Sequence, residues 1–297
     1  MKIALLGASS QIAQDLIKHL RAQNRHTLFL FGRQENIESN VLSYSQFKLE
    51  SYDAIINFVG VGDPARAMAM GSSILEVTET FDDLVLEYLK VHPQCKYIFL
   101  SSGAAIGGDF KQAADEQTRA SFPINALAQQ DWYGVAKFYT EAKHRALADK
   151  AIIDIRVFNY LSTSQAIEAR FMITDALRSI RDGTVFQTNP LNLYRDYLSA
   201  LDFFRLITAA LESPPCNTVV DCYSQAAIGK FELLDALTER FGLKYDVIGE
   251  IDSVNATGVK LNYYSTNYAP AKMLGYTPST DSLSNVLSVS HFLLGTL

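Results

Sequence analysis

The sequence predicts an α/β fold built on a doubly wound parallel sheet, and two observations carry that prediction. Five short segments are continuously apolar, as strands buried on both faces of a sheet are. They alternate with longer segments whose apolar residues recur at helical spacing. Strands and helices in this alternation form a parallel sheet covered by helices on both sides, which is the Rossmann-type architecture.

Each element follows from its local pattern. Strands are predicted at residues 2–6, 27–31, 54–59, 97–100 and 152–158, with helices at 12–20, 74–91 and 132–150 between them. The pattern is less regular after Asn159, where helices are predicted at 166–182, 198–211 and 230–241. We expect residues 1–164 to form a dinucleotide-binding domain. Residues 165–297 should form a smaller C-terminal substrate lobe that is partly interleaved with the sheet.

Composition excludes several classes of function. A chain of 297 residues with 48% hydrophobic content can bury a large core. Its net charge of -6, without a basic cluster, argues against nucleic-acid binding. No apolar run approaches the roughly 20 residues of a membrane span, and no cleavable signal follows Met1, so we expect a cytoplasmic protein. The cysteines lack CxxC spacing and the histidines are scattered, so no metal site is expected.

Tyr133 and Lys137 lie one turn apart on a predicted helix and therefore share a face. A phenol titrates near pH ~10, and a neighbouring cation would stabilise its phenolate. Such a pair suits proton exchange with an oxygen whose carbon exchanges hydride with a nicotinamide. An isolated match of this spacing is more often a surface tyrosine and lysine, so the interpretation depends on the rest of the chain.

Residues 7–13 link the first strand to the first helix, where a diphosphate meets backbone N–H groups and the positive end of a helix. Only Gly7 is a glycine, because Ser10 and Ala13 stand where a GxxGxxG pattern has two more. These small side chains still leave room for a phosphate. The candidate cofactor-binding residues here are Gly7, Ser9, Ser10, Gln11 and Ile12, and an ordinary strand-to-helix turn is the alternative.

The end of the second strand bears on cofactor choice. An acidic residue there would bind the ribose hydroxyls of NAD. The chain instead has Arg33, which can pair with a 2′-phosphate, so NADP is favoured while NAD stays open. The alternative is an exposed arginine with no ligand.

Several segments together resemble the extended short-chain dehydrogenase/reductases, a family of NAD(P)-dependent nucleotide-sugar epimerases, dehydratases and reductases. The similar segments are residues 7–13, 100–107, 133–137, 156–159, 195–197 and 271–278. The resemblance implies a catalytic set of Ser102, Tyr133 and Lys137, with Ser101 as a competitor for the serine role. Lys137 would also bind the nicotinamide ribose and lower the pKa of Tyr133. Gly60 would lie against the cofactor.

The resemblance also implies a substrate and a partner. Asn159 stands where the family places a residue near nicotinamide and substrate, and Arg195 where it grips the diphosphate of a nucleotide sugar. The alternative for Arg195 is a local ion pair with Asp196. The family commonly dimerises through the helices predicted here at 74–91 and 132–150, so we expect a homodimer.

The residues after Ser102 reduce the number of family reactions that the chain is expected to catalyse. Family dehydratases usually carry an acid-base pair there, whereas this chain has Gly103 and Ala104. Arg33 favours an exchangeable cofactor, so the leading hypothesis is NADPH-dependent reduction of a keto group, at C4, of a nucleotide-linked deoxysugar. One alternative is a nucleotide-sugar epimerase with tightly bound NAD. Another is a noncatalytic NADP-binding sensor or accessory protein.

Overall fold

The structure of the chain is a computed structural model that describes residues 1–33, 40–61, 64–249 and 260–295. Within these ranges the strands are, in chain order, β1 (Lys2–Leu6), β2 (Thr27–Gly32), β3 (Val41–Ser43), β4 (Ala54–Asn57), β5 (Lys96–Ser102), β6 (Ile152–Val157), β7 (Asn159–Tyr160), β8 (Val185–Thr188), β9 (Tyr194–Arg195), β10 (Tyr197–Leu198), β11 (Thr218–Asp221), β12 (Ile228–Gly229), β13 (Lys244–Val247) and β14 (Asn262–Tyr263). The helices are α1 (Gln11–Gln23), α2 (Pro64–Met70), α3 (Ser73–Val91), α4 (Trp132–Ala146), α5 (Met172–Asp182), α6 (Ala200–Glu212), α7 (Lys230–Phe241), α8 (Ala269–Met273) and α9 (Ser282–Leu294).

In the described part of the chain, seven strands form one parallel sheet in the order β3-β2-β1-β4-β5-β6-β11. The chain leaves β1 toward β2 on one side and later returns to its other side as β4. This reversal opens a crevice at the carboxyl ends of the two strands, where sheets of this type bind ligands. The predicted Rossmann-type α/β fold is confirmed.

Side chains alternate across the strands and build a core on each face of the sheet. Ile3 and Leu5 of β1 belong to the cluster that α1 and α6 cover. Ala4 and Leu6 belong to the opposite cluster, which contains Tyr88 of α3. Because both faces are covered, β1 reads as a continuous apolar run instead of an alternating one.

The C-terminal lobe has a separate core formed by α5, α7 and α9, represented by Leu177, Leu237 and Val286. The chain between these helices returns to the sheet, since α6 packs on α1 and β11 pairs with β6. The lobe is therefore partly interleaved, as predicted, while a domain boundary at residue 164 stays a prediction. The ammonium of buried Lys96 ties the two regions, because it donates to the carbonyls of Ala210, Leu211 and Ser213 at the end of α6.

Two predicted helices are shorter in the structure. The helix predicted at 166–182 begins at Met172, because the preceding segment turns and Arg178 donates to its carbonyls at Ile167 and Ala169. The helix predicted at 132–150 ends at Ala146, where the Asn217 amide donates to the carbonyls at 144, 147 and 150. Among the described helices, none combines the length and the hydrophobicity that a membrane span requires.

Candidate active site

The carboxyl ends of four adjacent strands bring the predicted residues to one crevice. The Gly7 turn follows β1, Arg33 follows β2, Gly60 lies three residues beyond β4, and Ser102 is the last residue of β5. Helix α4 packs against the segment after β5 and supplies Tyr133 and Lys137. In a parallel sheet these ends must converge, so topology alone gathers residues that are distant in sequence.

The turn after β1 requires glycine at its first position. Gly7 has a φ of +72°, and a Cβ there would lie 2.9 Å from the carbonyl carbon of Phe58 and from the nitrogen of Val59. Both the left-handed backbone and the close approach exclude a side chain. The turn is therefore packed directly against the segment that follows β4.

The other residues of the turn divide their roles. Ser10 caps α1, since its Oγ accepts the N–H of Ala13 at 3.3 Å, while Ser9 is exposed. The amide of Gln11 reaches across the crevice and donates to Gln165 Oε1 at 3.2 Å. Ile12 packs onto the core beneath. The helix start thus keeps its positive end directed at the crevice.

Arg33 is exposed directly after β2, next to a tyrosine that the sequence analysis did not single out. The phenol oxygen of Tyr44 accepts the N–H of Gly7 at 3.1 Å, and its ring centroid lies 4.6 Å from that of Phe81. Burial raises the pKa of Tyr44, and the charge of Arg33 opposes that effect. Arg33, Tyr44 and the Gly7 turn therefore line the same end of the crevice.

The two serines at the end of β5 point to opposite sides. Ser101 Oγ donates to the Glu141 carboxylate at 2.5 Å, behind the crevice, where Glu141 is also paired with Arg156. Ser102 Oγ accepts the N–H of Ala104 at 3.2 Å and lies close enough to Tyr133 to lower the pKa of that phenol. The geometry therefore places Ser102, and not Ser101, next to Tyr133.

Tyr133 is a half-buried residue of α4. Burial raises the pKa of its phenol above the ordinary value, and the neighbouring Ser102 hydroxyl opposes the rise. The ammonium of Lys137 lies 5.9 Å from the centroid of the Tyr133 ring and donates to the end of β5. The expected lowering of the Tyr133 pKa by Lys137 therefore stays a prediction.

Lys137 is 3% exposed, and its ammonium donates to the carbonyl of Leu100 at 2.8 Å. Burial lowers its pKa to about 8, and the charges of Glu141, Asp82 and Asp154 oppose the shift. A Cβ at Gly60 would lie 3.5 Å from the Lys137 ammonium, so the two are neighbours. Lys137 is thus held between β5 and the segment that follows β4.

A second phenol, from the C-terminal lobe, meets Ser102. The hydroxyl of Tyr263 in β14 lies 3.3 Å from Ser102 Oγ, and Tyr133 is close enough to contribute to the raised pKa of Tyr263. Sequence reasoning missed Tyr263 because it stands in no motif and lies 130 positions beyond Tyr133. The pairing of β14 with β9 helps to bring it to the crevice.

Asn159 supports this arrangement from below. Its amide donates to the backbone carbonyls of Tyr263 at 3.2 Å and Asp196 at 3.4 Å. The side chain therefore holds the β14 segment in place, and its donors are directed at the backbone in this structure.

Arg195 and Lys260 flank Tyr263. The Arg195 guanidinium carbon lies 5.9 Å and the Lys260 ammonium 4.5 Å from the centroid of the Tyr263 ring. Burial and the charge of Arg195 lower the pKa of Lys260 to about 8, and Asp131 opposes the shift. Asp196 is occupied by Ser224 and Ser282, so the local ion pair with Arg195 does not form, and neither cation pairs with a described carboxylate.

Comparison with known proteins places this geometry in a family. The sequence model of the "NAD dependent epimerase/dehydratase family" matches residues 3–221. No curated protein matches the sequence.

Solved structures share the fold at low identity. UDP-glucose 4-epimerase from Thermotoga maritima is 16% identical with a TM-score of 0.82, over 100% of this chain and 99% of that one. The dTDP-glucose 4,6-dehydratase of Bacillus anthracis is 15% identical with a TM-score of 0.76, over 98% and 96%. RMD from Pseudomonas aeruginosa, complexed with NADPH, is 15% identical with a TM-score of 0.78, over 100% and 99%.

The family match spans most of the chain, and the sheet order, the glycine turn and the tyrosine-lysine helix all lie within the matched residues. The chain therefore belongs to the NAD-dependent epimerase/dehydratase family and is an enzyme that uses a nicotinamide cofactor.

Proposed function

We propose that the protein reduces a keto group, at C4, of a nucleotide-linked deoxysugar with NADPH. The observation that carries the proposal is the meeting of Ser102 and Tyr133 in one crevice with two half-buried cations, Arg195 and Lys260. A proton-transfer pair and an anion site lie side by side, as a substrate with a reactive carbonyl and a diphosphate requires.

The two cations fit a diphosphate. Arg195 and Lys260 lie against the same Tyr263 ring, and the charge of Arg195 contributes to the lowered pKa of Lys260. Placing an anion between them relieves the repulsion between the two charges and replaces hydration that both groups lose on burial. Arg195 supplies a planar, bidentate donor, and Lys260 supplies a point charge. In a nucleotide sugar the diphosphate joins the nucleoside to the sugar, so an anion site beside the proton-transfer pair suits this class of substrate.

Ser102 and Tyr133 fit the chemistry at the sugar. The hydride added to the carbonyl carbon comes from the bound nicotinamide. The Ser102 hydroxyl can donate to the carbonyl oxygen and polarise it. Tyr133, next to Ser102, would then give its proton to the developing alkoxide, which yields the alcohol and the oxidised cofactor.

Lys137 would complete this set as the cation that holds the nicotinamide ribose. With a pKa of about 8 it carries a positive charge at neutral pH, and its position beside Gly60 suits a ribose hydroxyl. By binding that hydroxyl, Lys137 would position the cofactor next to Tyr133, the proton donor on the same helix.

Dehydration is disfavoured by the segment after Ser102. A Cβ at Gly103 would lie 2.4 Å from the ring of Phe158, so a carboxylate side chain cannot stand there. Ala104 is buried and apolar. The acid and base that family dehydratases carry at these positions have no counterpart.

NADP is favoured by the end of the crevice at Arg33. An exposed guanidinium beside the Tyr44 phenol offers a charged and a neutral donor for a 2′-phosphate. No carboxylate directly follows β2 to accept hydrogen bonds from the ribose of NAD.

The experiment is turnover of a nucleoside-diphosphate 4-keto-6-deoxyhexose with NADPH. The proposal expects one NADPH oxidised for each 4-hydroxy sugar formed. Ser102, Tyr133 and Lys137 would serve an epimerase equally well. Protein that keeps NAD after desalting and interconverts epimers without net NADPH consumption would establish that alternative. Tight NADPH binding without turnover of any nucleotide sugar would establish a noncatalytic role.

A homodimer through α3 and α4 is part of the proposal. These helices pack side by side, and the outer face of α4 exposes Phe138 and Tyr139 by 41% and 46%. Two such pairs would form a four-helix interface and cover both aromatic rings. Sedimentation at micromolar concentration should give a dimer, and a monomer would contradict it.

A further inference from the structure

A line of buried hydrogen bonds runs beneath the cofactor crevice and contains none of the residues that hold substrate or transfer the proton in the proposed reaction. Asn57 at the end of β4 donates through its amide nitrogen to the Tyr97 hydroxyl at 3.0 Å. The Tyr97 hydroxyl donates to Asp82 Oδ1 of α3 at 3.1 Å. His144 of α4 bridges that same oxygen, at 2.7 Å, to Asp154 Oδ1 of β6, at 2.6 Å.

The members of this line are almost completely inaccessible. Asn57 is 1% exposed, and Tyr97, Asp82, His144 and Asp154 are 0% exposed. Burying so many polar groups is costly unless every bond is made, and replacing them with apolar side chains is often neutral or stabilising. A fully connected buried network instead fixes one geometry, so the question is which geometry it fixes.

Asn57, at one end of the line, binds the backbone that follows β4. The N–H of Val59 donates to Asn57 Oδ1 at 2.9 Å. Because the Tyr97 hydroxyl accepts from the amide nitrogen of Asn57, it sets which way that amide faces. Without the hydroxyl, the amide loses the partner that keeps its oxygen on Val59.

The segment from Phe58 to Gly60 lies between the two ends of the cofactor crevice. On one side the Gly7 turn approaches this segment so closely that a Cβ on Gly7 would lie 2.9 Å from the backbone nitrogen of Val59. On the other side Gly60 lies beside the Lys137 ammonium. A dinucleotide that reaches from the helix start to Lys137 must pass over this segment.

We propose that Tyr97 is a positioning residue for the nicotinamide cofactor, which acts through Asn57 on the backbone at Val59 and Gly60. The same line continues to His144 on α4, the helix that carries Tyr133 and Lys137. It therefore ties the floor of the cofactor site to the helix of the proton-transfer pair. The proposal concerns cofactor binding and does not depend on which sugar is reduced.

The test compares two buried tyrosines, Tyr97 and Tyr88, of which only Tyr97 is hydrogen-bonded to Asn57. Tyr88 is 2% exposed, belongs to the same apolar cluster, and its hydroxyl also bridges two groups, the N–H of Tyr52 and the carbonyl of Glu50. Neither group touches the crevice. Tyr97→Phe and Tyr88→Phe each remove one buried hydroxyl and should lower thermal stability to a similar extent.

Titration with NADPH and NADH then separates the roles. Tyr97→Phe should weaken binding of the cofactor about tenfold, and Tyr88→Phe should leave it unchanged. In an Asn57→Ala background, Tyr97→Phe should have no further effect on affinity, because the line is already broken. Equal cofactor affinity in both tyrosine variants, or a full additional loss in the Asn57→Ala background, would overturn the proposal.

Discussion

The buried imidazole of His144 predicts that the enzyme loses stability as pH rises from 6.5 to 8. Burial alone would lower the pKa of His144, but the hydrogen bonds to Asp154 and Asp82 and their charges raise it to about 9. The ordinary value is 6.5. The folded protein therefore holds a proton that the unfolded chain releases within this range.

The sign and the size follow from proton linkage. Stabilisation from a raised pKa is complete below pH 6.5 and is lost as pH rises through the folded value of about 9. Between pH 6.5 and 8 the loss amounts to roughly 1.5 kcal/mol of unfolding free energy. Lys137 and Lys260, whose folded pKa values are lowered to about 8, act in the opposite direction from about pH 7 upward. Together they offset about half of this loss, so the net loss up to pH 8 is roughly 0.8 kcal/mol.

The assay is urea unfolding followed by circular dichroism at constant ionic strength across this pH range. His92→Gln, which removes a histidine stacked on Tyr88 outside the network, should keep the slope. His144→Gln should abolish the loss of stability. Because that variant leaves two buried carboxylates short of a partner, an NMR titration of the wild-type His144 imidazole serves as a second measurement. An unfolding free energy that is flat or rises from pH 6.5 to 8, or an imidazole that titrates near 6.5, would refute the reasoning.

Three further substitutions test the ends of the crevice. Arg33→Ala should weaken the binding of NADPH about tenfold or more and leave the binding of NADH unchanged, because only NADPH has a 2′-phosphate. Fluorescence titration with both cofactors measures the two affinities. Equal losses of affinity for both would show that Arg33 does not select the cofactor. Lys260→Met should weaken binding of UDP or dTDP about tenfold without changing NADPH affinity, as calorimetry can establish. Tyr263→Phe should raise KM for the sugar and leave kcat nearly unchanged, whereas a fall in kcat alone would make it a proton donor.

The sequence was sufficient for features set by local pattern and strand order. Continuous apolar strands and the spacing of Tyr133 and Lys137 predicted the sheet and the shared helix face, because parallel strands converge at one edge. Ser101 and Ser102 could not be separated by sequence. Their difference depends on which neighbour, Glu141 or Tyr133, each side chain meets.

Contacts between residues that are distant in sequence were also not predicted, because they depend on tertiary structure and not on a local pattern. Tyr263 and Lys260 reach the crevice through the pairing of β14 with β9, a two-residue ladder with no pattern of its own. The helix predicted from residue 166 was too long, because Arg178 satisfies carbonyls that a helical turn would otherwise use. The expected effect of Lys137 on Tyr133 depends on a side-chain direction that spacing cannot show.

The central claim is that Tyr133 donates the proton in a carbonyl reduction, and one comparison tests it most directly. Tyr139 lies on the same helix, but its hydroxyl is at the surface, bonded to Glu79 at 3.2 Å. NADPH oxidation by a nucleoside-diphosphate 4-keto-6-deoxyhexose should be roughly 10²- to 10⁴-fold slower in Tyr133→Phe, while Tyr139→Phe turns over like the wild type. A Tyr133→Phe enzyme that reduces the sugar at the wild-type rate would contradict the account.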